Sequence, residues 1–241
     1  MLLTTTSVYD SGLLDRITRE FERSYGSRVR VLAVGSGAAF RIAGEGNCDI
    51  ILVHDRQGEE KFINEGYGAG RYPVMWNEFA VSGPKNDPAG AGEAGDVFEA
   101  FERISRGNSP FISRGDNSGT HKKELEIWKV PGAEPEGGWY YKTGGGMIET
   151  LRIAEEKKAY VLTDTSTFIS RRGEFEGIGL LLRDSENLRN EYSLIPVSPE
   201  KFEWVNYALA MDFVRFMREG GGAEIIKGHS VEGEPLFNIL K

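Results

Sequence analysis

Ser113-Arg114-Gly115-Asp116-Asn117-Ser118-Gly119-Thr120-His121 decides how the chain folds, because an apolar pair (Phe111, Ile112) runs into it and a helical pattern (Glu124, Leu125, Ile127, Trp128) runs out. It reads as a strand-to-helix turn. The first N–H groups of a helix have no intrahelical carbonyl to meet and lie at the positive end of the helix dipole, so such a turn favours an anion. Ser118 and Thr120 add hydroxyl donors, Gly119 admits close approach to the backbone, and Arg114 brings a planar, permanently charged fork. The composite is an oxyanion cradle. The same residues also fit a plainer reading, an N-capped helix behind a turn in which Arg114 pairs with Asp116.

Three more junctions of this kind lie along the chain. Leu2 and Leu3 lead into Thr4-Thr5-Thr6-Ser7, a strand end followed by a helix over about 11–25 with Leu13, Leu14, Ile17 and Phe21 on one face and Gly26 as its stop. If the chain stays extended through the turn, alternation puts Thr5 and Ser7 on one side, with Thr6 a weaker candidate. A strand over 29–34 meets Gly35-Ser36-Gly37, which opens a short helix. Gly35-x-Gly37 with Asp55 further on partly matches a dinucleotide fingerprint, but Phe40 stands where its third glycine belongs. The aromatic strand 139–143 ends in Gly144-Gly145-Gly146 before a helix over 147–157. That triplet is either a flexible turn or a place where a ligand approaches Thr143 and Gly145 closely. Thr163-Asp164-Thr165-Ser166-Thr167 caps a further short helix, and a long helix carrying Trp204 through Met217 is expected to stop at Gly220-Gly221-Gly222.

The apolar run Cys48–Val53 has the continuous character of a strand covered on both faces. It ends at His54 and Asp55, the first a structural or ligand-contacting histidine, the second a possible acceptor. Gly83 to Gly92 contains no core-forming residue and marks a change of domain. Ligands of open α/β sheets bind at the carboxyl ends of strands, so turns from both halves of the chain point to one shared site.

The 241 residues allow one large domain or two lobes, and 39% hydrophobic with 27% charged residues is the balance of a soluble globular protein. A net charge of −8 argues against a nucleic-acid surface. A single cysteine, Cys48, excludes an internal disulfide framework and a multi-cysteine zinc cluster, and reads as a buried small hydrophobe. No apolar run reaches the ~20 residues of a membrane span, and Met1-Leu2-Leu3 does not make a signal peptide. The chain is expected to be either cytoplasmic or a mature form without its export signal.

Arg114-Gly115-Asp116-Asn117-Ser118-Gly119-Thr120 resembles the Arg-x-Asp-x-Ser-Gly-Thr loop of phosphate-type periplasmic binding proteins. Taken with Thr4–Ser7, Tyr9-Asp10-Ser11-Gly12-Leu13-Leu14, Val34–Gly37, Asp49–His54 and Gly66-Tyr67-Gly68, the chain is similar over nearly its whole length to the TupA family, the tungstate-binding components of ABC importers. The resemblance implies a two-lobed α/β fold of the type II periplasmic binding proteins, each lobe an open mixed sheet flanked by helices. Two crossover strands, at about 76–83 and 192–197, would join a discontinuous lobe I (1–81 and 194–241) to lobe II (82–193). It also implies that Thr5, Ser7 and Ser36 from the first lobe, with Arg114, Ser118, Gly119 and Thr120 from the second, hold tungstate or molybdate. No cofactor is implied. The partners would be the small oxyanion and an ABC permease of the inner membrane, met by a periplasmic or extracytoplasmic, monomeric chain that inserts in no membrane and binds no nucleic acid. Phosphate binders add a carboxylate that accepts the proton of hydrogen phosphate, and Asp55 and Asp116 are the candidates here, so a phosphate binder of the same fold stays open.

Two rivals come from other classes. A phosphoryl-transfer enzyme needs a base beside a nucleophile, for which His121 next to Thr120 is the sole suggestion, without a Walker loop, nucleophile elbow or metal-ligand spacing. An intracellular oxyanion sensor would carry the same cradle without export.

Overall fold

A computed structural model describes residues 1–240. In chain order the elements are β1 (Leu2–Thr4), α1 (Thr6–Asp10), α2 (Leu13–Tyr25), β2 (Val31–Ala33), α3 (Ser36–Gly44), β3 (Ile50–Val53), α4 (Arg56–Asn64), β4 (Tyr72–Pro84), α5 (Val97–Arg106), β5 (Phe111–Ser113) and α6 (Gly119–Lys129). They continue with β6 (Tyr140–Lys142), α7 (Met147–Lys157), β7 (Val161–Asp164), α8 (Thr165–Ser170), β8 (Ile178–Arg183), β9 (Arg189–Pro196), α9 (Tyr207–Glu219), α10 (Gly221–Lys227) and three two-residue strands, β10 (Ser230–Val231), β11 (Glu234–Pro235) and β12 (Asn238–Ile239).

The chain divides into two compact units, Met1–Trp76 with the segment from Glu191 onward, and Asn77–Asn190. It crosses within β4 and returns within β9, earlier than the points 81/82 and 193/194 that the family resemblance implies. The reason is polar and buried. Asn77 donates to Ser166 Oγ at 2.9 Å, and Asn190 donates to Asn77 Oδ1 at 2.8 Å, so both asparagines are tied into the second unit. Glu191 instead accepts from Arg71 Nη2 at 2.7 Å, inside the first unit.

In the first unit the strands lie in the order β12-β4-β9-β3-β1-β2. β1 runs parallel to β2 and β3, with Thr4 opposite Ala33 and Leu52, whereas β9 is antiparallel to β3. All four residues of β3 are buried, as its uninterrupted apolar run requires. Leu3, Ile51, Val53 and Ile195 pack with Ala39, Ala43 and Phe62 of α3 and α4. Phe21 of α2 meets Phe213 and Phe216 of α9 edge-on, with ring centres 4.9 and 5.3 Å apart. Cys48 is buried, and burial pushes its thiol up to about 12.

In the second unit β5 pairs parallel with β6, and β7 and β8 pair antiparallel with β4. Alternation along β5 sends Phe111 into a cluster with Phe101, Trp128 and Tyr140, and Ile112 into another with Met147, Leu151 and Phe168. Leu162 and Val161 of β7 divide the same way, so helices cover both faces. Each unit is therefore a mixed sheet flanked by helices. Among the described residues no helix is long and apolar enough to cross a membrane.

Two local expectations fail, at Thr6–Ser7 and at Trp204. The helix expected over about 11–25 forms as Leu13–Tyr25, but Thr6 and Ser7, expected in a strand end, open a separate short helix, Thr6–Asp10, which Gly12 at φ +74° divides from α2. α9 stops at Gly220 as expected, and the same glycines also open a further helix, α10, whose start packs on Phe216. Trp204 lies before α9 and is 70% exposed, with its indole N–H donating to Gly46 O.

Candidate functional site

The turn from β5 into α6 forms as the sequence proposes, with the Ser118 cap and the Arg114–Asp116 pair of the plainer reading. Gly115 and Asn117 both take positive φ, +63° and +57°. A side chain on Gly115 would begin 2.8 Å from Lys142 Cβ, so this position needs glycine twice over. Lys142 and its neighbours fasten the loop from the other side, where Thr143 N donates to Ser113 O at 3.0 Å and Gly144 N to Arg114 O at 2.7 Å. Asp116 then organises the interior of the loop. Its Oδ1 accepts from Ser118 N at 3.1 Å and its Oδ2 from Arg114 Nη2 at 2.6 Å. Burial would raise its carboxyl, but hydrogen bonding from Ser118 and the Arg114 charge outweigh burial and hold it below the usual carboxylate range.

What this leaves over is donors. The Arg114 side chain is 8% exposed, and its Nε is buried with no partner. Ser118 caps α6 through His121 N→Oγ, 3.3 Å, so the N–H groups of Gly119 and Thr120 start the helix with no intrahelical carbonyl. Thr120 is buried beside them. One turn further, Glu124 is buried under the cradle and accepts from Tyr140 OH at 2.6 Å and Trp128 Nε1 at 3.3 Å. Burial raises its carboxyl to about 7. The sequence reading passed Glu124 over, although a glutamate on the Thr120–Ile127–Trp128 stripe was its signal.

In the first unit β1 and β2 run parallel, so both hand over to helices at the same sheet edge, and Val34 N→Thr4 O at 2.8 Å ties the two ends. Thr5 and Ser7 do come together, their hydroxyls 3.2 Å apart, but not by strand alternation. The helix already begins at Thr6, so Thr5 is the cap and Ser7 its second helical residue. One hydrogen bond between two hydroxyls consumes one proton and leaves the other for an acceptor. Thr6 is half-buried at the first helical position. At the second junction Ser36 is 1% exposed, and its Oγ has no partner. Positions where side chains on Gly35 and Gly37 would begin are open space.

The remaining junctions are closed by their own acids. Asp55 caps α4 and Asp164 caps α8, the latter also taking the hydroxyls of Ser166 and Thr167 at 2.6 and 2.8 Å. Thr143 is likewise occupied: its hydroxyl meets Thr150 Oγ1 at 3.0 Å and accepts from Gly145 N at 3.2 Å. A side chain on Gly145 would collide with Glu149, which lies in the first turn of α7. His54 stacks on Tyr192 with ring centres 4.8 Å apart. By contrast, α1, α3 and α6 have neither an acidic cap nor an acid in the first turn. Each unit thus presents hydroxyl and backbone donors at helix starts free of acid, and among the described residues no group of three or more His, Cys, Asp or Glu could hold a metal ion.

The PBP superfamily domain model matches residues 1–219. The tungstate-binding protein TupA of Peptoclostridium acidaminophilum is 39% identical over 98% of this chain and 84% of its own. The crystal structure of a tungstate ABC transporter protein from Geobacter sulfurreducens superposes with a TM-score of 0.87 at 40% identity, over 94% of this chain and 97% of that one. The tungstate-binding protein TupA from Desulfovibrio alaskensis G20 gives 0.88 at 36% identity, over 100% and 98%.

Proposed function

This chain belongs to the PBP superfamily and, within it, to the family of the tungstate-binding protein TupA, and on that premise we propose that it captures tungstate, or molybdate, for delivery to an ABC permease. The residues assigned to the oxyanion are Thr5, Ser7 and Ser36 in one unit and Arg114, Ser118, Gly119 and Thr120 in the other. The relatives are named as binding proteins, and the chain is read as a receptor without a catalytic step or cofactor, monomeric and working outside the cytoplasm.

The observation that carries this reading is that the acid-free starts of α3 and α6 adjoin buried polar atoms that lack a partner, Ser36 Oγ in the first turn of α3 and Arg114 Nε in the loop before α6. A site made of donors suits an anion that brings no proton. Tungstate and molybdate are fully ionised at neutral pH, whereas hydrogen phosphate needs an acceptor. Asp116 has both oxygens engaged within its loop, and Asp55 accepts from Gly58 N at 3.2 Å. Each charge-assisted hydrogen bond contributes roughly 1.5–3 kcal/mol, so several together offset the dehydration of a dianion. Calorimetric titration with tungstate, molybdate, sulfate and phosphate tests the assignment. Tungstate is expected to bind tightest and phosphate weakest; phosphate binding tightest would overturn it.

A further inference from the structure

We propose that His121 is an additional ligand of the oxyanion, donating to it through Nε2–H in a tautomer that the cradle's own backbone fixes. This rests on the oxyanion reading above. His121 is the third residue of α6, and its ring folds back over the loop so that Nδ1 accepts from Asn117 N at 3.0 Å. A ring nitrogen that accepts from a backbone N–H keeps its lone pair there, which places the single proton of the neutral imidazole on Nε2. Protonating Nδ1 as well would set a donor against a donor. Burial and the nearby charges of Lys142 and Arg114 also favour the neutral ring, against the pull of Asp116.

The Nε2 atom is buried and has no partner, on a residue only 6% exposed. A buried donor left unmatched is costly, and the cradle offers it no acceptor. Arg114, Lys142 and the first N–H groups of α6 are donors themselves. The oxygens of Asp116 go to Arg114 Nη2 and Ser118 N, and the Ser118 hydroxyl oxygen goes to His121 N. Arg114 Nε, four atoms along the side chain of the same loop's first residue, is unmatched in the same way. Two buried donors without acceptors, one on the loop and one in the first turn of the helix it leads into, require the same complement, an oxygen from outside the protein, and a tetrahedral anion supplies several. A neutral donor beside the guanidinium adds direction without adding charge.

Two variants separate this role from loop support. In His121→Asn the amide oxygen can take the place of Nδ1 and accept from Asn117 N, while the Nε2 donor is gone. In His121→Gln the amide reaches the Nε2 position instead. Titration of the full chain with tungstate is expected to show His121→Asn roughly ten- to a hundred-fold weaker, with unliganded melting unchanged, and His121→Gln nearer to the parent. In ¹⁵N-histidine spectra the proton should sit on Nε2 throughout, and its signal should move when tungstate is added. Parent-like affinity in His121→Asn, equal loss in both variants, a proton on Nδ1, or an Nε2 signal indifferent to tungstate would each overturn the proposal. Arg114→Lys, titrated alongside, separates the levels: if the parent binds and Arg114→Lys is weakened while His121→Asn is not, only the His121 inference fails. If the parent binds no oxyanion, the underlying reading fails.

Discussion

Replacing Ser36 by alanine should move stability and affinity in opposite directions. Ser36 is the first residue of α3, 1% exposed, with its hydroxyl unmatched. An unsatisfied buried hydroxyl costs roughly 1–3 kcal/mol, and alanine is the better helix former, so the unliganded variant should gain about 1 kcal/mol. For a chain of this length that is about 2–4 °C in Tm. Binding should lose a hydrogen bond to a charged partner, roughly 1.5–3 kcal/mol, which is about ten- to a hundred-and-fifty-fold in Kd. Melting followed by circular dichroism without ligand gives the first quantity, and calorimetric titration with tungstate the second. In melts at saturating tungstate the order should reverse, because ligand stabilisation grows as RT ln(1 + [L]/Kd) and the parent binds more tightly. A fall in unliganded Tm would mean the hydroxyl has a structural partner, and an unchanged Kd would remove it from the site; either refutes the reasoning.

Arg114→Lys keeps a charge near Asp116 but loses the fork, so tungstate affinity should fall by about ten-fold or more while unliganded Tm shifts by no more than a few degrees; equal affinity would take the guanidinium out of the site. Thr143→Val, which removes a hydroxyl engaged with Thr150 and Gly145, should cost about 1–2 kcal/mol of stability and alter Kd less than about three-fold, and a large loss of affinity at unchanged stability would make Thr143 a ligand after all. Glu124→Gln should flatten the alkaline limb of the pH–stability curve. The folded-state carboxyl, raised to about 7, contributes stability that is fully present below the unfolded value and lost as pH rises through 7. Denaturant titrations of parent and variant should therefore diverge by roughly 3 kcal/mol between pH 4 and pH 8, and parallel curves would contradict it.

The cradle was legible because its logic is local. A strand, two positions that tolerate positive φ, an acid to bind the loop and a hydroxyl cap occur within nine residues, and each carries its own geometric demand. The start of the chain was less so. Thr4-Thr5-Thr6-Ser7 has the composition of a strand, yet the helix begins at Thr6, because pairing of β1 with β2 and β3 stops at Thr4 and leaves the next N–H groups to coil. Gly220 ends α9 as its sequence signals, but the helix that follows at once is not marked by spacing, because α10 is held by its packing on α2 and α9. The role of Thr143 turned on Thr150, a partner seven residues away whose side-chain direction no pattern of spacing specifies.

One feature of the site was present in the sequence all along, although motif reading does not look for it. Helices begin throughout this chain, and most begin with an acid: Asp15 in the first turn of α2, Asp55 capping α4, Asp96 capping α5, Glu149 in α7, Asp164 capping α8 and Glu224 in α10. An acid there stabilises a helix by about 0.3–1 kcal/mol through the dipole, so α1, α3, α6 and α9 forgo a common source of stability. The same acid would also face any bound anion. At about 5 Å and an effective dielectric near 20, a unit charge repels a dianion by roughly 6–7 kcal/mol, as much as two or more charge-assisted hydrogen bonds return. In a body of net charge −8, an oxyanion site therefore depends on where acids are withheld as much as on where Arg114 is placed. Of the four helices that withhold an acid, α9 begins at Asn206, and the other three begin at Thr5–Ser7, Gly35–Gly37 and Ser118–Thr120, which are segments that the hydroxyls mark independently.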